Sequence, residues 1–142
     1  MSVDTLNDMQ WERLRVTAGT DRVEVILDHA ATRNAIDQQM VDELHAVCAE
    51  LEREPRTLII AGANGLFASG ADIAQLKERR RDDALAGINS TIFDRIARLP
   101  MPVIAAMQKY ALGGGAELGY AADFRIATPD IKIGNPETAL GI

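Results

Sequence analysis

The sequence predicts an α/β fold, and three observations carry that reading. Short apolar runs suited to strands alternate with stretches whose apolar residues fall at three- and four-residue spacing, the pattern of layered sheet and helix. Glycine and proline punctuate the joins, at Gly19, Pro55, Pro100, Pro102 and Gly113 to Gly115. Of 142 residues, 47% are hydrophobic and 25% charged, a globular balance that excludes wholesale disorder. No repeat, low-complexity tract or linker interrupts the chain, so residues 1–142 read as one domain.

The elements follow in order. Leu14 to Ala18 and Val23 to Leu27 flank Gly19-Thr20-Asp21-Arg22 and predict a hairpin. Asp37 is placed to cap the next helix, whose Met40, Val41, Leu44, Val47, Cys48 and Leu51 share one face; Pro55 ends it. Thr57 to Ala61 is a short apolar run of the kind found in strands covered on both sides. Small residues from Gly62 to Gly70 then lead to a helix over Ala71 to Lys77. The charged stretch KERRRDD links it to a helix over Ala84 to Leu99. Pro100 and Pro102 bracket the start of a strand, Val103 to Met107. The run from Ala111 to Glu117 predicts a strand-to-helix turn, followed by a short helix to Ala122 and a strand, Phe124 to Ala127. NPETALGI reads as the first turn of a helix that the sequence does not complete. With that ending, the apolar stretches Val103 to Met107 and Leu118 to Ala122 are expected to need cover, from a longer polypeptide or from an oligomer.

Composition removes several function classes. Fifteen basic against 21 acidic residues give a net charge of −6, and aromatics are only 4%. A nucleic-acid binder wants a basic stripe or stacking rings, and this chain has neither. No apolar run is long enough to span a bilayer, and MSVDTLNDMQ lacks the cationic start and apolar stretch of a leader. The single cysteine, Cys48, allows no internal disulfide, and a cytoplasmic location is expected. On the apolar face of its helix, Cys48 reads as core rather than nucleophile.

Three features bear on chemistry. Gly113-Gly114-Gly115 before a helix permits positive φ and close backbone approach, and a helix start offers free N–H groups. It reads equally as a tight packed turn. It is not a dinucleotide fingerprint, because Leu118 stands where the third glycine belongs, and no Gly-Lys-Ser/Thr follows for a phosphate loop. Ser69 and Ser90 sit in no G-x-S-x-G elbow, and His29 and His45 form no metal-ligand pattern. The second feature, Phe67-Ala68-Ser69-Gly70-Ala71-Asp72-Ile73, ends small residues at a helix start. Alone it is a βα turn. Paired with the glycines, it offers two backbone donors able to converge on one carbonyl oxygen. The third is Glu117 with Glu137, 20 residues on, joined by a short helix down and a strand back. They read either as carboxylates sharing acid and base work on one water, or as two ordinary first-turn acids.

FASGADI, ALGGGAELGYAADFRIA and NPETALGI, in this order and spacing, resemble the crotonase family of enoyl-CoA hydratases and isomerases. With Arg33-Asn34-Ala35-Ile36 and the hairpin before it, the resemblance covers nearly the whole chain. It implies a crotonase-like ββα spiral, here ending before the family's C-terminal helices. It also implies that the N–H groups of Ala71 and Gly114 form an oxyanion hole for an acyl thioester. Arg33, Asn34, Ala35, Asp72, Ile73 and Gly113 would line the substrate site with them, and Glu117 and Glu137 would be the catalytic acids. The implied activity is hydration across the 2,3 double bond of an enoyl-CoA. An isomerase or another acyl-CoA enzyme of the same fold is the alternative within the family, and an inactive acyl-CoA-binding or scaffold fragment the alternative outside it. Coenzyme A would arrive on the substrate, with no metal or redox cofactor. The implied assembly is a homo-oligomer, a trimer or a dimer of trimers.

Overall fold

The computed structural model describes residues 4–69 and 88–135. Within them, α1 (Thr5–Asp8) precedes the hairpin β1 (Leu14–Ala18) and β2 (Arg22–Leu27), then α2 (Gln38–Arg53) and β3 (Thr57–Gly62). After these come α3 (Ile88–Ala97), β4 (Val103–Met107), β5 (Tyr110–Leu112), α4 (Gly114–Ala121), β6 (Phe124–Ala127) and β7 (Lys132–Gly134). The main sheet has the order β1-β2-β3-β4-β6. Its hairpin is antiparallel, with Val16 opposite Val25, and its other pairs are parallel, as in Ile60 beside Ala105. The predicted helix over Ala71 to Lys77 and the stretch KERRRDD lie outside the described residues, as does the start of the helix predicted from Ala84.

Helix α2 forms where its pattern placed it. Asp37 Oδ1 accepts the Met40 N–H at 2.9 Å, closing the first turn. Met40, Val41, Leu44, Val47, Cys48 and Leu51 are all buried against the sheet. The same helix buries one carboxylate, Glu43, which accepts the backbone N–H groups of Glu12, Arg13 and Leu14. It thereby satisfies the backbone entering β1, which no strand among the described residues pairs on that side. At the C-terminal end of α2, the Arg95 guanidinium of α3 forks onto Glu52 at 2.6 and 2.9 Å and also meets His45 Nδ1 at 3.0 Å. This binds α3 to α2. Burial, then the Arg95 charge, hold the His45 pKa below its ordinary 6.5, against weaker opposing pulls from Asp42 and Glu52. Arg56 joins three segments, bonding the Asp4 carboxylate, the Gly19 carbonyl and the Glu54 carbonyl.

Two strands depart from the sequence reading. Ala111 and Leu112 are not simply part of a turn: with Tyr110 they form β5, which pairs in parallel with β7. Three-residue strands are too short to show a period, so neither was visible beforehand. The second departure concerns cover. Val103, Ala105, Met107, Leu118 and Ala122 are buried, whereas the exposed large apolar side chains include Tyr120, Phe124, Ile126 and Ile133. β6 is exposed at all four positions. Backbone pairing to β4 holds it, helped by Asp123, which accepts the Val103 N–H at 2.8 Å, and by Arg125, which donates to the Ala122 carbonyl at 3.0 Å. No helix among the described residues is long and apolar enough to cross a membrane.

Two outcomes follow for stability. Glu43→Ala strips three backbone donors of their acceptor and should cost about 2–3 kcal/mol in urea unfolding, with Glu43→Gln, which keeps an acceptor oxygen, losing less. For His45 the depressed pKa means that the unfolded chain binds the proton more readily. The stability present above pH 6.5 is therefore lost as pH falls below it. Thermal midpoints at about pH 7.5 and about pH 5.5 check this, and His45→Gln should show the smaller drop.

Candidate functional site

The loop after β3 is stitched on both sides. The Ser69 N–H donates to the Arg33 carbonyl at 3.1 Å, and the Ser69 hydroxyl to the Thr32 carbonyl at 2.9 Å. Arg33 and Asn34 both take left-handed backbone, φ 54° and 58°. That turn drives the Asn34 side chain inward, fully buried, where its amide donates to the carbonyls of Ala63 at 2.9 Å and Phe67 at 3.2 Å. Its oxygen accepts the His29 N–H at 2.9 Å. Arg33 stays exposed and Ala35 is buried. The segment predicted to line the substrate site is thus seated beside Phe67 to Ser69, and Asn34 acts on the loop from within.

On its other side the same loop joins the glycine turn. Ala68 bridges Ala111, its N–H donating to the Tyr110 carbonyl at 3.1 Å and its carbonyl accepting the Leu112 N–H at 3.0 Å. That carbonyl also lies against Gly115: a Cβ there would sit 2.4 Å from the Ala68 oxygen. Gly113 holds φ 55°, ψ −120°, a backbone state that glycine alone reaches without strain. Its N–H donates to the Gly134 carbonyl at 2.8 Å. The N–H groups of residues 114–116 belong to the first turn of α4, which supplies them no acceptor of its own. The two turns singled out in the sequence are therefore in direct contact, with the backbone of one packed on the N-terminus of the other's helix.

Glu117 stands one turn into α4 on its exposed flank. It borders an open cleft of about 340 Å³ whose other wall is α3: Ser90, Phe93, Asp94 and Ala97 face Glu117, Tyr120 and Ala121. A larger hollow of about 590 Å³ surrounds Gly19, Arg53 and Arg56 at the start of β3. Its charges pair among themselves, as in Arg56 with Asp4 and Arg53 with Glu54, and neither glycine-containing turn borders it, so the smaller cleft, which Glu117 borders, is the better candidate. Ala71, Asp72, Ile73 and Glu137 lie outside the described residues.

The chain's residues 21–142 match the family model described as enoyl-CoA hydratase/isomerase. The chain belongs to the enoyl-CoA hydratase/isomerase family. It is similar in structure to an enoyl-CoA hydratase from Bacillus anthracis, at 31% identity and a TM-score of 0.85, over 92% of this chain and 53% of that one. An enoyl-CoA hydratase from Thermoplasma volcanium matches at 33% identity and a TM-score of 0.83, over 92% and 54%. An enoyl-CoA hydratase/isomerase from Xanthobacter autotrophicus matches at 29% and 0.85, over 93% and 52%. The α/β architecture is thus the crotonase fold, and the chain spans about half the length of the solved relatives it matches.

Within this family member, sequence reasoning weighed Ser90 only as a nucleophile and passed over Asp94 and Tyr120, which line the cleft with it. The signal was available as spacing: Ser90, Asp94 and Ala97 fall at i, i+4 and i+7, and Glu117, Tyr120 and Ala121 at i, i+3 and i+4, so each set shares one helix face. What was missing is that the two faces meet. The backbone packing makes its own test. Gly115→Ala should destabilise the protein by about 1–3 kcal/mol in urea unfolding, because the Ala68 backbone cannot yield as a side chain would. Gly19→Ala, where the nearest atoms lie 3.6 Å from an added Cβ, should stay within about 0.5 kcal/mol.

Proposed function

We propose that this protein is an enoyl-CoA hydratase, adding water across the 2,3 double bond of an enoyl-CoA thioester. The observation that carries the reading is Glu117 on the exposed flank of α4, three residues after Gly114, bordering the cleft. Three residues of helix advance about 4.5 Å along the axis, so a carbonyl held at the helix N-terminus would leave its β-carbon near that carboxylate. In the proposed reaction the thioester oxygen accepts the N–H groups of Gly114 and Ala71. These donors oppose the negative charge that grows on the oxygen as an enolate forms. Glu117 and Glu137 hold the water between them. One takes its proton as the oxygen bonds to the β-carbon, and the other supplies a proton to the α-carbon. The β5–β7 pairing supports Glu137 as the second acid, because Leu112 stands beside Gly134, three residues before it. Arg33, Ala35, Asp72 and Ile73 are proposed to border the coenzyme A portion, with Gly113 shaping the turn. Asn34 is proposed to serve that border through the loop it holds. The reaction calls for no metal or redox cofactor, and the assembly proposed is a homo-oligomer based on a trimer.

The test follows the absorbance of the conjugated enoyl thioester after the protein is added to crotonyl-CoA. Loss of that absorbance, with a hydroxyacyl-CoA product, is the expected result. Glu117→Gln should lower turnover by about a hundredfold or more while substrate affinity stays nearly constant. Unchanged turnover in that variant would remove Glu117 from the chemistry. Conversion of a 3-enoyl-CoA to its conjugated isomer, without hydration, would reassign the protein as an isomerase.

A further inference from the structure

The loop after β3 opens on a tight turn whose central residues, Asn64 and Gly65, both hold positive φ, 65° and 79°. A turn with two left-handed central residues selects asparagine followed by glycine, so the backbone itself calls for this pair. Both residues are exposed, and a Cβ added at Gly65 would meet nothing within 4 Å. The Gly65 N–H donates to no acceptor among the described residues. The Asn64 amide nitrogen, by contrast, is engaged, donating to Asp28 Oδ1 at 3.2 Å and to Asn34 Oδ1 at 3.3 Å. We propose that Asn64 is a site of spontaneous covalent modification, at which the Gly65 nitrogen attacks the Asn64 side-chain amide and the amide ends as a carboxylate. The site stands independently of the acyl-CoA reading.

Water is the only reagent the step needs. The Gly65 nitrogen gives up its proton and bonds to Asn64 Cγ, the Cγ–Nδ2 bond breaks, and the nitrogen leaves as ammonia, closing a cyclic imide. Water then opens the ring at either carbonyl, giving aspartate or the isomer in which the backbone runs through the side-chain carboxyl. Glycine permits the attack because no Cβ shields its nitrogen. The other four asparagines are protected. Asn34 is fully buried, and Asn7 is held at both amide atoms by the backbone of Ala18. Asn89 lies in α3 and precedes Ser90, whose Cβ crowds the nitrogen; Asn135 precedes Pro136, which has no N–H. The product changes what the turn can hold. A carboxylate at position 64 has no proton to donate, so it meets the oxygens of Asp28 and Asn34 acceptor against acceptor, and Asp28 also as a like charge. The bond between Arg15 and Asp28, at 3.1 Å, is untouched, but the side-chain anchors of the turn are lost.

The experiment incubates the folded, unaltered protein at neutral and at alkaline pH and follows its peptides by mass spectrometry. The peptide bearing Asn64 should gain about 1 Da, the difference between an amide and a carboxyl group, and separate into aspartate and isoaspartate forms. The gain should be faster at alkaline pH, because the attacking nitrogen must lose its proton. It should outpace that at any other asparagine by about tenfold or more, a barrier difference of about 1.4 kcal/mol. Asn64→Gly, which keeps a residue suited to positive φ, should cut the ammonia released by the whole protein about tenfold. No gain at Asn64, or one no faster than at Asn89, overturns the proposal. So does undiminished ammonia release from Asn64→Gly. A gain at Asn64 that appears only when the chain is unfolded in urea overturns it as well, since the native turn would then take no part.

Discussion

The arrangement of the site depends on one steric constraint, the contact between the Ala68 carbonyl and Gly115. That carbonyl occupies the space where any other residue at position 115 would put its Cβ, 2.4 Å away. Because no side chain intervenes, the loop after β3 packs directly on the first turn of α4 and pairs with β5 in the same step. Asn34 fixes the other flank of that loop with bonds to the carbonyls of Ala63 and Phe67. The loop is thus held between a buried amide and a glycine. The direction of α4, and with it the position of Glu117 over the cleft, follows from that clamp.

Where the fold was legible, the signal was long or chemically specific. Helix α2 shows its buried face at six positions and its cap at Asp37, and 16 residues give periodicity room to be seen. The main-sheet strands were readable as apolar runs between glycine and proline. β5 and β7 were not, because three residues cannot display alternation and their pairing joins Ala111 to Ile133, far apart in the chain. The exposure of Phe124 and Ile126 was hidden for another reason. Hydrophobicity reports a residue's preference, whereas burial depends on what else reaches that side of the sheet. The same distinction divides the site. The two glycine-containing turns could be found from sequence because glycine answers a local backbone demand. The cleft between α3 and α4 could not, since a polar residue on a helix reads as solvated until a second helix is placed opposite.

Net charge is an equally coarse guide, because the acids do different work according to what their oxygens face. Glu43 and Asp123 accept backbone N–H groups and complete the ends of strands. Asp37 caps α2 while accepting a bond from Arg13 at 2.9 Å. Glu52 is spent on Arg95, whose bonds hold its carboxyl below the usual range and join two helices. Each of these stabilises the fold through a donor whose place the chain has already set. Glu117 and Asp94 differ in bordering the cleft between α3 and α4. A count of carboxylates treats all of these alike; only their placement in the fold separates them.

The same separation explains how one fold can serve several acyl-CoA chemistries. The part of the candidate site made from backbone, at residues 113–116 and the loop after β3, follows from glycine conformation and close packing, and in the proposed reaction it is the part that would meet the thioester carbonyl. On that reading the rest of the acyl group would be recognised by side chains that can change without disturbing the clamp, and the facing surfaces of α3 and α4 can change in that way. Ser90, Asp94 and Tyr120 are exposed, so substituting them leaves the Ala68–Gly115 contact and the Asn34 bonds intact. Phe93 is the exception: it lines the cleft and is also packed in the core, so a change there would alter the core and the cleft together.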